Sequence, residues 1–196
     1  MSLFLILLFG AGCTSVKSGY KNYQQYRSGE YREVLKRWTA KSQVYRGFET
    51  MYLVTGTYRS AAFRRAYVSK YARAYHLDSA AAKKMLTDDL GMAEENFEFI
   101  LAVYAAEKDK VKLESRESLW RVYLEVEGLK RQHPVEIRNL KKERTRLKEF
   151  FPYITPWVEV YRIRFKNVPL PESATSIHLV QTGVLGTARL IFSIEN

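Results

Sequence analysis

The sequence predicts a mainly β domain with one helical insertion, an α+β class. Several short segments place apolar side chains at alternate positions, the pattern of strands that bury one face. A single stretch, at about 59–95, instead spaces its apolar residues as amphipathic helices do. Many short strands separated by turns favour an immunoglobulin-like antiparallel β-sandwich, here with a helical hairpin inserted into it.

Two strands are expected before the insertion. One covers Glu33–Trp38, and the other covers Gln43–Tyr58, where aromatic and β-branched residues recur at close to every second position. The polar residues between them, Thr39–Ser42, are expected to turn the chain.

The insertion itself is predicted to contain two helices. Aromatic residues spaced by four share one face of a helix over about 59–76. They are Phe63, Tyr67, Tyr71 and Tyr75, and we interpret this stripe as core packing rather than as an exposed stacking platform. Asp78 is expected to be the N-cap of the second helix, which ends near Gly91 or one turn later.

The strand pattern returns after the insertion. It is found at Phe97–Tyr104, Trp120–Val126, Trp157–Phe165, Ile177–Gln181 and Thr187–Ile194. We expect the last two strands to form a hairpin through Gly183–Gly186. The segment Val135–Leu147 fits a charged helix and an extended chain equally well, because prolines flank an otherwise helical spacing.

The N-terminus carries a secretory pattern. The bulky apolar run at 3–9 is too short to span a bilayer, which takes about 20 residues, and small residues lead from it to the single cysteine, Cys13. The sequence Gly10-Ala11-Gly12-Cys13 resembles the lipobox of a bacterial lipoprotein precursor. The resemblance implies that residues 1–12 are a signal peptide and that Cys13 carries a diacylglyceryl thioether. The alternative is a buried apolar segment with a core thiol.

This resemblance also implies a location. Thr14, rather than an aspartate, follows the cysteine, which in such lipoproteins indicates the outer membrane, facing the periplasm. Residues 13–30 are then expected to be the tether and residues 31–196 a single domain. Three tyrosines recur in the tether among basic residues, which suits a segment lying on lipid headgroups, a plain linker, or the start of a docked helix.

The chain is basic, with a formal net charge of +11. Such a charge favours anionic partners, and for an envelope protein these are lipopolysaccharide phosphates, acidic glycans or anionic lipids rather than nucleic acid. Two basic runs, at 59–73 and 130–148, supply the candidate polyanion-binding residues. These are Arg59, Arg64, Arg65, Lys70, Arg73, Lys141, Lys142, Arg144, Arg146 and Lys148. A solvated face that maintains solubility is the alternative interpretation.

No motif of a known catalytic site is found. The histidines, His76, His133 and His178, are far apart and lack metal-ligand spacing, and the paired carboxylates Asp88-Asp89 and Glu94-Glu95 are expected to be solvated on a helix. We therefore expect no catalytic residues, metal or cofactor. The sequence favours a non-enzymatic, lipid-anchored envelope protein that acts as an interaction or structural accessory module. A polyanion-binding module is the alternative, and an enzyme with an unrecognised site is the third.

Overall fold

Two antiparallel sheets and a layer of helices make up the computed structural model, which describes residues 30–106 and 112–194. The strands are β1 (Thr39–Arg46), β2 (Glu49–Tyr58), β3 (Asn96–Ala105), β4 (Trp120–Val126), β5 (Glu136–Asn139), β6 (Glu159–Lys166), β7 (Ser176–Gly183) and β8 (Gly186–Ser193). The helices are α1 (30–37), α2 (Ala61–Ala74), α3 (Ser79–Glu95) and α4 (Arg144–Lys148). The predicted mainly β, α+β class is confirmed.

The two sheets pack face to face as an open sandwich. One has the order β1-β2-β3-β6-β5 and the other β4-β7-β8. Alternate residues of β3, such as Phe99 and Leu101, pack against the inward residues of the smaller sheet, such as Leu179 and Leu190. Apart from β1, this order corresponds to the two sheets of an immunoglobulin constant-type domain. The immunoglobulin-like assignment itself stays a prediction.

The helices cover the opposite face of the larger sheet. Ile100 and Ala102 of β3 and Val160 of β6 point away from the sandwich core and are buried beneath α1, α2 and the segment 140–154. The aromatic stripe of α2 contributes Phe63 and Tyr67 to this second core. The interpretation of the stripe as core packing is therefore confirmed for its first half, whereas Tyr75 is exposed at the end of the helix.

The predicted strand at Glu33–Trp38 is wrong, because residues 30–37 are helical. Tyr31, Leu35 and Trp38 are spaced by four and three, so they form one helical face in the second core. The turn predicted at Thr39–Ser42 is also wrong, since these residues belong to β1. The chain instead reverses at Gly47, whose φ of 59° lies in the left-handed region that glycine adopts without strain.

Both helices of the insertion are confirmed, and their ends have definite caps. The Ser60 hydroxyl accepts a hydrogen bond from the backbone N–H of Phe63, and the Asp78 carboxylate accepts one from Ala81. His76 closes α2 with a φ of 52°, and the backbone N–H of Leu77 donates to the carbonyl of Ala72, as in a Schellman motif. None of the residues of α3 is fully buried.

The later strands and the final hairpin are confirmed. The segment Val135–Leu147, which fits a helix and an extended chain equally well in sequence, contains both kinds of structure. Residues 136–139 form β5, and Lys141–Glu143 and α4 then make short helical turns. No helix among the described residues is long and apolar enough to cross a membrane. Cys13, the proposed signal peptide and residues 13–29 of the tether lie outside the described residues.

Candidate functional site

A groove of about 610 Å³ lies between the helical layer and the larger sheet. Its volume falls in the range of small-ligand sites, roughly 300–1,000 Å³. Side chains from α2, α3, α4 and β6 line it, together with Arg59, which precedes α2. The lining residues are Arg59, Tyr67, Tyr71, Ala81, Lys84, Met85, Asp88, Asp89, Met92, Arg146, Arg162 and Arg164.

A row of alternating charges runs across three strands beside the groove. Arg164 of β6 is paired in register with Glu98 of β3 on one side and with Glu136 of β5 on the other. Arg164 Nε donates to Glu98 Oε2 at 2.6 Å, and its Nη1 donates to Glu136 Oε2 at 2.9 Å. Opposite charges on neighbouring strands stabilise the pairing, so this row fixes the position of the Arg164 guanidinium.

Glu98 is the centre of a buried ion network, with 1% of the residue exposed. Arg59 Nη1 donates to its Oε1 at 2.9 Å, and Arg64 Nη2 lies 3.8 Å from the same oxygen. Burial alone would raise the pKa of this carboxyl, but Arg59, Arg64 and Arg164 together hold it below its ordinary value. Glu98 is therefore a buried carboxylate that stays ionised at neutral pH.

Asp89 of α3 ties the helical layer to the same network. Arg59 Nη2 donates to Asp89 Oδ2 at 2.7 Å, and Arg64 Nη1 donates to Oδ1. The Arg64 side chain has no exposed surface, and its Nε donates to the Arg59 carbonyl at 2.8 Å. The expectation of a solvated Asp88-Asp89 pair is thus wrong for Asp89, because neighbouring helical positions point to different sides and only Asp88 faces solvent.

Several donors in the groove have no partner within residues 30–106 and 112–194. The side chain of Arg146 makes no hydrogen bond or ion pair with the residues that the structure describes, and neither do the hydroxyls of Tyr67 and Tyr71. Burial raises the pKa of Tyr67, so its phenol keeps its proton. Arg162 donates from Nη2 to Glu136 at 2.8 Å, but its buried Nε–H has no acceptor within the described part.

The charge around the groove is positive on balance. Six cationic side chains, Arg59, Arg64, Lys84, Arg146, Arg162 and Arg164, stand against four carboxylates, Asp88, Asp89, Glu98 and Glu136. Such a concave site concentrates anions, and guanidinium groups bind phosphate or carboxylate through charge-assisted hydrogen bonds.

The ten candidate polyanion-binding residues do not form one surface. Arg59 and Arg146, one from each basic run, meet in the groove, while Arg64 is buried beneath it. Lys70 donates to the Glu149 carbonyl at 2.7 Å and lies 4.4 Å from the Tyr31 ring centroid.

Other candidates lie away from the groove. Arg73 donates to the Ser69 hydroxyl at 3.0 Å, and Arg144 pairs with Glu159 at 3.6 Å. Arg65, Lys141, Lys142 and Lys148 are exposed and do not line the groove.

Sequence reasoning missed Arg162 and Arg164. Both lie on the strand face opposite to Tyr161, Ile163 and Phe165. Their spacing of two residues, which places both arginines on one face of β6, is the sequence signal that could have identified them. The network residues Glu98 and Asp89 gave no such signal, because their arginine partners are 25 to 66 residues away in the chain.

His178 lies beside a second, smaller cavity of about 370 Å³. Arg189 Nη1 lies 3.2 Å from His178 Nδ1, and the Ser176 hydroxyl lies 2.9 Å from Nε2. A guanidinium can only donate, so Nδ1 accepts and Nε2 carries the hydrogen that is donated to Ser176. In this arrangement Ser176 accepts a hydrogen bond from His178. Within the described ranges, no three metal-ligating side chains cluster.

No protein-family model matches the chain, and no curated protein matches it. A solved structure of a protein of unknown function from Burkholderia pseudomallei K96243 is similar to it, with 11% sequence identity. The similarity covers 88% of this chain and 86% of that chain, with a TM-score of 0.48.

Proposed function

We propose that this protein is a non-enzymatic binding module of the bacterial envelope that binds anionic groups in the groove. The observation that supports this most directly is the convergence of Arg59, Arg146 and the two β6 arginines on one concave site. Three of these guanidiniums are held by carboxylates, whereas Arg146 has no acidic partner among the described residues. The fixed arginines set the potential of the groove, and Arg146 is available to a ligand.

We also propose that Cys13 carries a lipid anchor. The lipobox-like Gly10–Cys13 supports acylation of Cys13, and Thr14 supports retention at the outer membrane facing the periplasm. Anchoring of this kind keeps the groove within reach of anionic lipid and glycan, which are the partners that the basic charge favours. If replacement of Arg146 does not weaken retention on a phosphate-bearing matrix, a purely structural accessory role with no anionic ligand is favoured instead.

Replacing Arg146 with glutamate should weaken retention on a phosphate-bearing matrix such as phosphocellulose. The change removes a charge-assisted donor and places an anion in the groove, so we expect elution at clearly lower NaCl concentration than for the wild type. Loss of one such hydrogen bond costs about 1.5–3 kcal/mol, roughly tenfold or more in affinity.

Arg65→Glu is the matched control. Arg65 is exposed on α2 and does not line the groove, and the substitution changes the net charge by the same amount. If both variants elute at the same salt concentration, retention reflects overall charge and the groove is not the binding site.

Replacing Cys13 with alanine should release the protein from membranes and leave the precursor uncleaved at this position. The thioether and its acyl chains form only on a thiol, and two chains or signals are needed for stable attachment. Fractionation and the mass of the product from cells measure both effects, with Ser15→Ala as the control. Wild-type protein that is already full length and not membrane-bound would contradict the anchor.

A further inference from the structure

The groove has an apolar wall as well as a charged one. Met85 and Met92 are seven residues apart, so they share a face of α3, and both line the groove with the rings of Tyr67 and Tyr71. Methionine is flexible and polarisable, and it suits surfaces that adapt to an apolar ligand. An inorganic anion would leave this wall facing water.

The polar donors are grouped on other elements of the same groove. Arg146 comes from α4 and Arg162 from β6, and Tyr67 and Tyr71, whose hydroxyls have no partner among the described residues, belong to α2. A phosphate has three terminal oxygens that accept hydrogen bonds, so one phosphate can use several of these donors at once. The volume of about 610 Å³ leaves room for a body attached to it.

We infer that the groove binds a phosphate group carried on an apolar body, as in an alkyl phosphate, with Arg146 binding the phosphate and the methionines of α3 covering the chain. This inference rests on the proposed function, since it requires the groove to bind anions. It adds that the apolar body contributes to affinity. Free phosphate and a phosphate on a lipid headgroup share the charged chemistry, and only the second uses the methionine wall.

The experiment compares three soluble probes by calorimetric titration into the purified protein. The probes are methyl phosphate, octyl phosphate below its micelle concentration, and octyl glucoside, which has the chain without the charge. One buried methylene raises affinity about fourfold, so burial of only two gives octyl phosphate an advantage of more than about tenfold over methyl phosphate. Octyl glucoside should bind far more weakly than octyl phosphate.

Two variants test whether the phosphate binds at Arg146 and the alkyl chain at the methionines of α3. The double substitution Met85→Ser and Met92→Ser should weaken the binding of octyl phosphate much more than that of methyl phosphate, so that the two affinities become similar. Arg146→Glu should weaken both phosphates. Ile191→Ser is the control, because it removes an exposed apolar side chain from the smaller sheet, away from the groove. Circular dichroism confirms that each variant is folded.

The outcomes distinguish binding of an apolar phosphate from simple anion binding in the groove. Equal affinity for methyl and octyl phosphate would overturn the inference while leaving anion binding intact. Equal affinity for octyl phosphate and octyl glucoside would also overturn it, because the charge would then be unused. Failure of both phosphates to bind, together with equal effects of Arg146→Glu and Arg65→Glu on matrix retention, would overturn the proposed function itself.

Discussion

Replacing Glu98 with glutamine should lower the free energy of unfolding by about 3–5 kcal/mol, the cost of breaking a buried ion pair. Glutamine keeps the size of the side chain but removes its charge. The carboxylate accepts from Arg59 at 2.9 Å and Arg164 at 2.6 Å, and it balances Arg64, which has no exposed side-chain surface. After the substitution, Asp89 would be the remaining carboxylate paired with Arg59 and Arg64 in the part of the chain that the structure describes. Urea unfolding at neutral pH measures the change.

The pH dependence of the stability of Glu98→Gln shows whether lost charge causes the destabilisation. Because the folded pKa of Glu98 lies below its ordinary value, its ionised form stabilises the wild type fully above the unfolded pKa of about 4.3. That contribution is lost as pH falls through the folded pKa. The difference between wild type and Glu98→Gln should therefore shrink in acid. A difference that is the same at pH 7 and at pH 3 would show that lost packing, not lost charge, explains it.

Glu94→Gln serves as the control for this measurement. Glu94 is an exposed residue of α3, and its side chain makes no ion pair with the described residues. Surface substitutions of this kind change stability by no more than about 0.5 kcal/mol. An equal effect of the two substitutions would contradict the special role of Glu98.

Deletion of Ala188–Asn196 should abolish folding. It removes most of β8, including Ala188, Leu190 and Phe192, which are completely or almost completely buried between the sheets. Loss of one large core side chain typically costs about 2–5 kcal/mol, and whole domains are stable by only about 5–15 kcal/mol. Removal of several such side chains with a paired strand exceeds that margin. Soluble expression and a thermal melt measure the result.

Point substitutions in β8 distinguish a core effect from a general sensitivity of this strand. Leu190→Ala should lower stability by about 2–5 kcal/mol. Ile191→Ala should have a small effect, because Ile191 is more than half exposed on the outer face of the sheet. A soluble, cooperatively melting truncated protein would contradict the assignment of β8 to the core.

Most strands of the sandwich could be predicted because apolar residues recur at alternate positions on the face that lies between the two sheets. Phe97, Phe99 and Leu101 alternate in a way that no helix would satisfy, and the final hairpin has glycines at both ends of its turn. The strand prediction for 33–38 is wrong because this segment covers less than two helical turns, too few to distinguish a helical period from a strand period. The spacing of Tyr31, Leu35 and Trp38 becomes informative once it is read with a helical period.

The groove was only partly predictable from the sequence. The basic runs identified Arg59 and Arg146, but their proximity depends on how α2 and α4 pack on the same sheet. The burial of Arg64 was not predictable from its own segment. That segment contains no acid, and the compensating charges come from Asp89 and Glu98. The basic residues that are close in sequence therefore have different surroundings in the fold: Arg64 is buried in an ion network, whereas Arg65 is exposed.

The two sides of the groove differ in local stability, because α3 has no fully buried residue. Segments with little buried surface open by local unfolding at a lower free energy than the core strands do. The sheet side is rigid because β3 and β6 lie in the centre of the larger sheet. The α3 side is tied down by the Asp89 ion pairs and by the Asn167 side-chain amide, which donates to the carbonyls of Ala93 and Glu94. We therefore expect any widening of the groove to come from movement of α3 rather than of the sheet.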